Sequence, residues 1–177
     1  MKKIISRVLI SALLFLSSGQ IYAQTAQETH EKGEEYLRTG MYDEAIAEFS
    51  KLIEMYPNDP TAYNNRGIAY QNKRELDKAI SDFDRAISLD PSLAEPYSNR
   101  GRAYGMKGND EQALADFNKA IEINPNLAKV YSNRAIGYFE IQDYGKCWAD
   151  VRKAEELGYK VNPDFLEELK RASGRNN

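Results

Sequence analysis

Residues 60–93, PTAYNNRGIAYQNKRELDKAISDFDRAISLDPSL, and residues 94–127, AEPYSNRGRAYGMKGNDEQALADFNKAIEINPNL, are two versions of one pattern set 34 residues apart. Gly67 becomes Gly101, Tyr70 becomes Tyr104, Ala79 becomes Ala113, Phe83 becomes Phe117, Ala86 becomes Ala120 and Pro91 becomes Pro125. Carried outward, the register finds Gly33, Tyr36, Ala45, Phe49, Leu52 and Pro57 upstream. Downstream it finds Ala135, Tyr138, Cys147, Val151 and Ala154. A fixed period of this size marks stacked supersecondary units rather than a domain with one central core. The units run over about 26–59, 60–93, 94–127 and 128–161.

Each unit divides into two helical patterns. Tyr63, Gly67 and Tyr70 lie at +4 and +3, one stripe of a first helix; Ala79, Phe83 and Ala86 do the same on a second. The polar run Asn72-Lys73-Arg74-Glu75 makes the turn, and Gly40 and Gly108 take the matching place in two other units, where a left-handed residue stops a helix. Pro91 closes the pair, because proline lacks an amide donor and turns its predecessor away from helix. Two helices about 8–10 Å apart need small residues at their crossing. Gly67 facing Ala79 and Ala86 is the expected contact, with Tyr70 and Phe83 filling the space beside it, so leucine at Gly67 or Gly101 would force the helices apart.

These columns resemble the tetratricopeptide repeat family, whose aromatic, Gly, Tyr, Ala-x3-Phe and Pro pattern stands here as Tyr63, Gly67, Tyr70, Ala79, Phe83 and Pro91, and again as Tyr97, Gly101, Tyr104, Ala113, Phe117 and Pro125. The resemblance spans about residues 26–161. It implies an all-α, right-handed solenoid of four helix-turn-helix repeats with a C-terminal capping helix. Thr29 departs from the leading aromatic; Ala135, Cys147 and Val151 depart in the last unit, where Tyr159 replaces the closing Pro. Arg66, Arg100 and Arg134 stand where the family usually has Leu. Terminal units of a solenoid are atypical because one side of each faces water.

Lys32, Arg66, Arg100 and Arg134 are followed sixteen residues later by Glu48, Asp82, Asp116 and Asp150. Signs persist while identities change, as salt bridges within a unit or to its neighbour would require. Asn65, Asn99 and Asn133 recur unchanged and read as structural hydrogen bonds, since buried amides need partners. Asn162-Pro163 starts a last helix of about 163–173, with Phe165, Leu166, Leu169 and Ala172 on one face. That helix is expected to cap the stack, the alternative being a free amphipathic helix for a partner or membrane. Residues 173–177 read as a frayed tail, and Trp148 has no functional reading.

Met1-Lys2-Lys3 and Arg7, an apolar run from Val8 to Leu16 and the small residue Ala23 read as a secretory signal over residues 1–23. The rest, 24–177, forms one domain with 21 basic and 27 acidic side chains, net −6. An acidic chain is a poor partner for nucleic acid. The sequence holds no run of eighteen apolar residues to span a bilayer. An exported protein, periplasmic or secreted, follows.

Catalysis finds little to stand on. His30 is the only histidine and Cys147 the only cysteine, and the latter takes an alanine column, as a small buried side chain would. Asp82, Asp84 and Asp90 lack the loop and glycine of a calcium site, and no zinc spacing or phosphate loop occurs. No enzyme, metal or cofactor is expected. What remains is the face of each first helix turned from its packing stripe, which the resemblance implies lines a concave groove for a protein or peptide.

The candidate contacts on that face are Asn64, Ile68, Gln71, Ser98, Arg102, Lys129, Ile136 and Phe139, with Gly105 as a gap in the wall. Ile68, Ile136 and Phe139 favour binding over a merely solvated face. Glu34, Glu95 and Glu140 balance Arg38, Arg102 and Lys129, so the field selects no strongly charged ligand. Of the clamp of Lys, Asn and Arg with which some family members hold a terminal carboxylate, Asn99 and Lys129 match and Ile68 and Asn133 do not. Other readings stay open: a scaffold subunit of an envelope complex using its convex face or ends, an accessory to an envelope hydrolase, and self-association.

Overall fold

The computed structural model describes residue 23 and residues 25–175; the signal segment, apart from Ala23, lies outside the described residues. Those residues form helices and turns without a strand. Helix α1 runs over 25–39, α2 over Tyr42–Met55, α3 over Pro60–Asn72 and α4 over Leu76–Leu89. Helices α5 (Ala94–Met106), α6 (Asp110–Ile123), α7 (Ala128–Glu140), α8 (Tyr144–Glu156) and α9 (Pro163–Ser173) follow. From α2 to α9 each helix packs on its chain neighbours, and α3, α5 and α7 also touch in series. The result is an α-solenoid. Its core is a string of clusters bridging adjacent pairs: Ala62 and Ala69 of α3 are buried with Ala45, Phe49 and Leu52 of α2.

The turns inside the pairs share one geometry. Met41, Glu75, Asn109 and Asp143 each donate their amide to the carbonyl of Tyr36, Tyr70, Tyr104 or Tyr138, at 2.9–3.0 Å. The residue before each has positive φ: Gly40 (78°), Arg74 (65°), Gly108 (76°) and Gln142 (60°). This left-handed stop satisfies last-turn carbonyls, and a side chain there is strained. Arg74→Gly and Gln142→Gly should therefore each stabilise the protein, by about 0.5–1 kcal/mol in urea melts. A loss of stability would show that these side chains do something the backbone does not require.

The glycine column is set by a different contact from the one the spacing suggests. A Cβ on Gly67 would fall 2.6 Å from Phe83 Cε1, and one on Gly33 2.7 Å from Phe49 Cε1. On Gly101 it would fall 2.9 Å from Phe117 Cε1 and 3.0 Å from the Ala113 carbonyl. The edge of the phenylalanine ring lies against the glycine and fills the crossing, rather than the space beside it. In the last unit, where Ala135 replaces the glycine, Val151 replaces the ring.

Three of the four sign-matched pairs form. Arg66, Arg100 and Arg134 each present Nε and Nη2 to both carboxylate oxygens of Asp82, Asp116 and Asp150, at 2.7–2.8 Å. The free corner of each fork reaches the preceding unit: Nη1 donates to Ser50 Oγ, Asp84 Oδ1 and Asn118 Oδ1 respectively. Each guanidinium also lies between two tyrosines; for Arg100 the ring centroids of Tyr97 and Tyr104 are 5.7 and 6.0 Å away. One arginine thus stitches two helices of its own unit to the unit before. The first unit departs: Glu48 pairs with Lys51 at 2.7 Å instead of Lys32. Lysine, a point charge without the planar fork, cannot make the bidentate geometry.

A second ladder runs along the turns. Lys73 pairs with Asp43 and Lys107 with Asp77, each joining a turn to the preceding unit. The column ends at Ile141, which is 49% exposed where a third lysine would stand.

Helix α9 packs on α8, starting where Asn162 Oδ1 accepts the amide of Asp164. Leu169 is fully buried against Trp148 and Val151. Ser173 belongs to this helix and not to a frayed tail: its Oγ accepts the indole N–H of Trp148 at 3.1 Å.

Candidate functional site

The first helices α3, α5 and α7 stand side by side and carry all eight expected contact residues, with Gln71 and Phe139 each one residue from the end of its helix. The 34-residue register sets Ile68, Arg102 and Ile136 level with one another. Neighbouring side chains then decide which of them face the open.

Ile136 is 45% exposed, while Ile68 is half-buried against the Ala79, Phe83 and Ala103 cluster. Gln71 is not a surface group: it is 2% exposed, donates Nε2 to the Asn99 carbonyl at 3.2 Å, and accepts Nε and Nη2 of Arg102 on its Oε1. Gln71 therefore positions Arg102 rather than meeting a ligand itself. Phe139 is half-buried; its ring stands 5.8 Å from Tyr144 and 5.5 Å from Phe165 of α9, so the capping helix covers it. Asn64 accepts from Asn99 Nδ2 at 3.0 Å and donates to Asn65 Oδ1 at 3.3 Å. Ser98 and Lys129 line a cleft where α5 meets the loop before α7.

The asparagine column does not make one repeated bond. Asn65 reaches His30 at 3.5 Å, Asn99 reaches Asn64, and Asn133 instead lines a cavity. That cavity, about 380 Å³, lies between α5, α6 and α7. Arg102, Met106, Phe117, Asn133, Ile136 and Glu140 are among its walls, and Met106 is 38% exposed. The structure thus brings Arg102 and Ile136 together. It adds Met106, which is not among the expected contacts.

Arg102 differs from the three stitching arginines. Among the described residues no carboxylate pairs with it, and burial lowers its pKa from the ordinary arginine value. A desolvated cation bonded to a neutral amide keeps an unspent preference for an acceptor.

Cys147 is fully buried, and desolvation, then the nearby charges of Asp150 and Asp143, push its thiol up to about 12. A thiol held neutral in the core is a packing group and a poor nucleophile. Among the described residues no group of three His, Cys, Asp or Glu side chains could hold a metal ion. No described helix is long and apolar enough to cross a membrane.

Comparison with known proteins follows the same register. Residues 60–93 and 94–127 match the family described as tetratricopeptide repeat, and residues 33–73 match the one described as TPR repeat. A solved chain, the first TPR of Spaghetti (RPAP3) bound to the HSP90 peptide SRMEEVD, is 30% identical, with a TM-score of 0.65 over 67% of this chain and 97% of that one. The chain belongs to the tetratricopeptide repeat family.

Two further solved tetratricopeptide-type folds share the solenoid at lower identity. A thermophilic TPR protein from Thermus thermophilus has a TM-score of 0.73 at 23% identity, over 85% of this chain and 84% of that one. MamA gives 0.69 at 21%, over 86% and 85%. Among curated proteins, tetratricopeptide repeat protein 36 of Caenorhabditis elegans is 57% identical over 35 residues, 19% of this chain. The match spans about 20% of that protein's length. Tetratricopeptide repeats commonly serve as protein-interaction modules. The repeat columns account for the fold of the chain and leave the outer face of the first helices as its variable part.

Proposed function

We propose that this protein is an exported, non-catalytic adaptor that binds a protein or peptide partner in the concave groove of its repeats. The cavity beside Arg102 and Ile136 carries the reading, because it joins an apolar floor to an arginine that pairs with no carboxylate among the described residues. Interfaces use such buried aromatic, aliphatic and arginine anchors. The peptide held by the Spaghetti repeat supports the same use of this architecture, and the basic-then-apolar start at residues 1–16 supports export.

The test is affinity capture from envelope extract with three forms of the protein. The native chain and Arg152→Glu, an exposed change on α8 outside the cavity walls, should retain a common partner. Ile136→Glu places a charge in the groove and should lose it, since leaving an anchor site charged costs about 2 kcal/mol or more, over tenfold in Kd. Retention by all three would move the binding surface to the convex face or the ends.

A further inference from the structure

Three glycines line the cavity, and two have reasons unrelated to it. Gly108 takes the left-handed turn, with φ of 76°. Gly137 lets α7 approach α6, since a Cβ there would fall 3.0 Å from Leu114 Cδ2. Gly105 has neither reason. Its φ is not positive, and a Cβ would meet only Ala113 Cβ, at an ordinary 3.9 Å. Glycine within a helix is less stable than almost any replacement, so its presence near the end of α5 needs another cause.

The repeat supplies one. The same column holds Leu37, Gln71 and Phe139 in the other units. Gln71 is buried, and the ring of Phe139 packs on Tyr144 and Phe165. At Gly105 alone the side chain that would occupy this place is missing, and the cavity lies there. The charges around it are ordered. Arg102, held by Gln71 and without a carboxylate partner, and Asn133 stand at one end. One helical turn along, about 6 Å by helical rise, Glu140 and Asp110 stand at the other.

We infer that the third repeat is a socket for one large apolar side chain of a bound peptide, which takes the place that Phe139 fills in the fourth. The peptide carries an acidic residue on the Arg102 side of that anchor and a basic residue on the Asp110 and Glu140 side. The inference rests on the groove reading and narrows it to a class of ligand: acidic, bulky apolar, basic, in that order along the groove.

A displayed library of random dodecapeptides, selected on the full chain, tests it. The selected peptides should centre on Phe, Leu or Met with opposite charges on its two sides. A synthetic consensus peptide should bind Gly105→Phe at least roughly thirtyfold more weakly than the native chain. Exchanging its acidic and basic residues should weaken binding to the native chain. The melting temperature of Gly105→Phe, measured alongside, should not fall, because the new ring enters existing space; if that variant fails to fold, Gly105→Leu takes its place.

Peptides that bind Gly105→Phe undiminished but lose Ile136→Glu would overturn the socket and leave the groove reading standing. Peptides unaffected by either change, or none selected, would remove both. If no peptide is selected while the native chain dimerises and Gly105→Phe does not, the occupant is a second copy and the peptide assignment is wrong.

Discussion

Gly67→Ala lowers the stability of the stack by about 2–3 kcal/mol in urea melts, although alanine is the better helix former. The added methyl would begin 2.6 Å from Phe83 Cε1 and 2.9 Å from Cδ1, so it meets the middle of a ring edge. Phe83 is fully buried and has nowhere to retreat. Gly67→Leu goes further and prevents the second pair from closing. The protein's own fourth unit suggests the compensation. There Ala135 faces Val151, both buried, so a smaller partner accommodates the methyl.

Phe83→Val alone loses ring contacts and opens a cavity, at a cost of about 2–3 kcal/mol. Combined with Gly67→Ala, it should be less harmful than the two single changes added together, with a coupling of about 1 kcal/mol or more. Additive single effects would mean that the glycine answers to something other than the ring.

Asp116→Ala is the second large loss, about 2–4 kcal/mol by the same melts. Its carboxylate is 8% exposed and receives two of the three hydrogen-bonding corners of Arg100, whose side chain is 20% exposed. Removing it leaves a guanidinium wedged between Tyr97 and Tyr104, with Asp84 its one remaining carboxylate among the described residues. Asp84→Ala, by contrast, removes a carboxylate that is 51% exposed, and should cost no more than about 1 kcal/mol. Replacing both partners, as in Arg100→Met with Asp116→Leu, should recover much of the loss, because most of it is the uncompensated charge. Equal losses from Asp116→Ala and Asp84→Ala would show that the fork is not the tie between these units.

The repeat was legible because its columns answer to contacts that recur in every unit. Gly67, Phe83 and Pro91 read the same from sequence and structure as markers of a helix pair, and the family match covers the same register. The partner of the glycine was misread, since Ala79 and Phe83 share a stripe and spacing does not say which one touches. The joint change to Ala135 and Val151 carried that information. The arginine fork was half legible. Its aspartates keep their sign sixteen residues on, but Ser50, Asp84 and Asn118, sixteen residues back, vary in charge and share only a side-chain oxygen. Charge patterns could not reveal them; hydrogen-bond acceptors could.

The candidate site was less legible because openness depends on neighbours outside the repeat. Gln71 turns inward to hold Arg102, which its column does not disclose. Phe139 is covered by α9, a helix with no counterpart in the other units. Ile68 leans onto its own pair's cluster while Ile136, at the same register, stays exposed. Glycine at position 105 was visible as a gap, but only the absence of any packing reason for it gives the gap a meaning.

The single tryptophan of the chain is 8% exposed and hands its N–H to a serine twenty-five residues further on, in the last turn of α9. Its emission is therefore a built-in optical probe of one event, the seating of the terminal helix on the far end of the array. Circular dichroism follows all the helices together, so the two signals recorded in one melt separate an end that lifts from an array that dissolves. A partner that settled on that end would shift the fluorescence, and one held near the cavity of the third unit would have no direct effect on it.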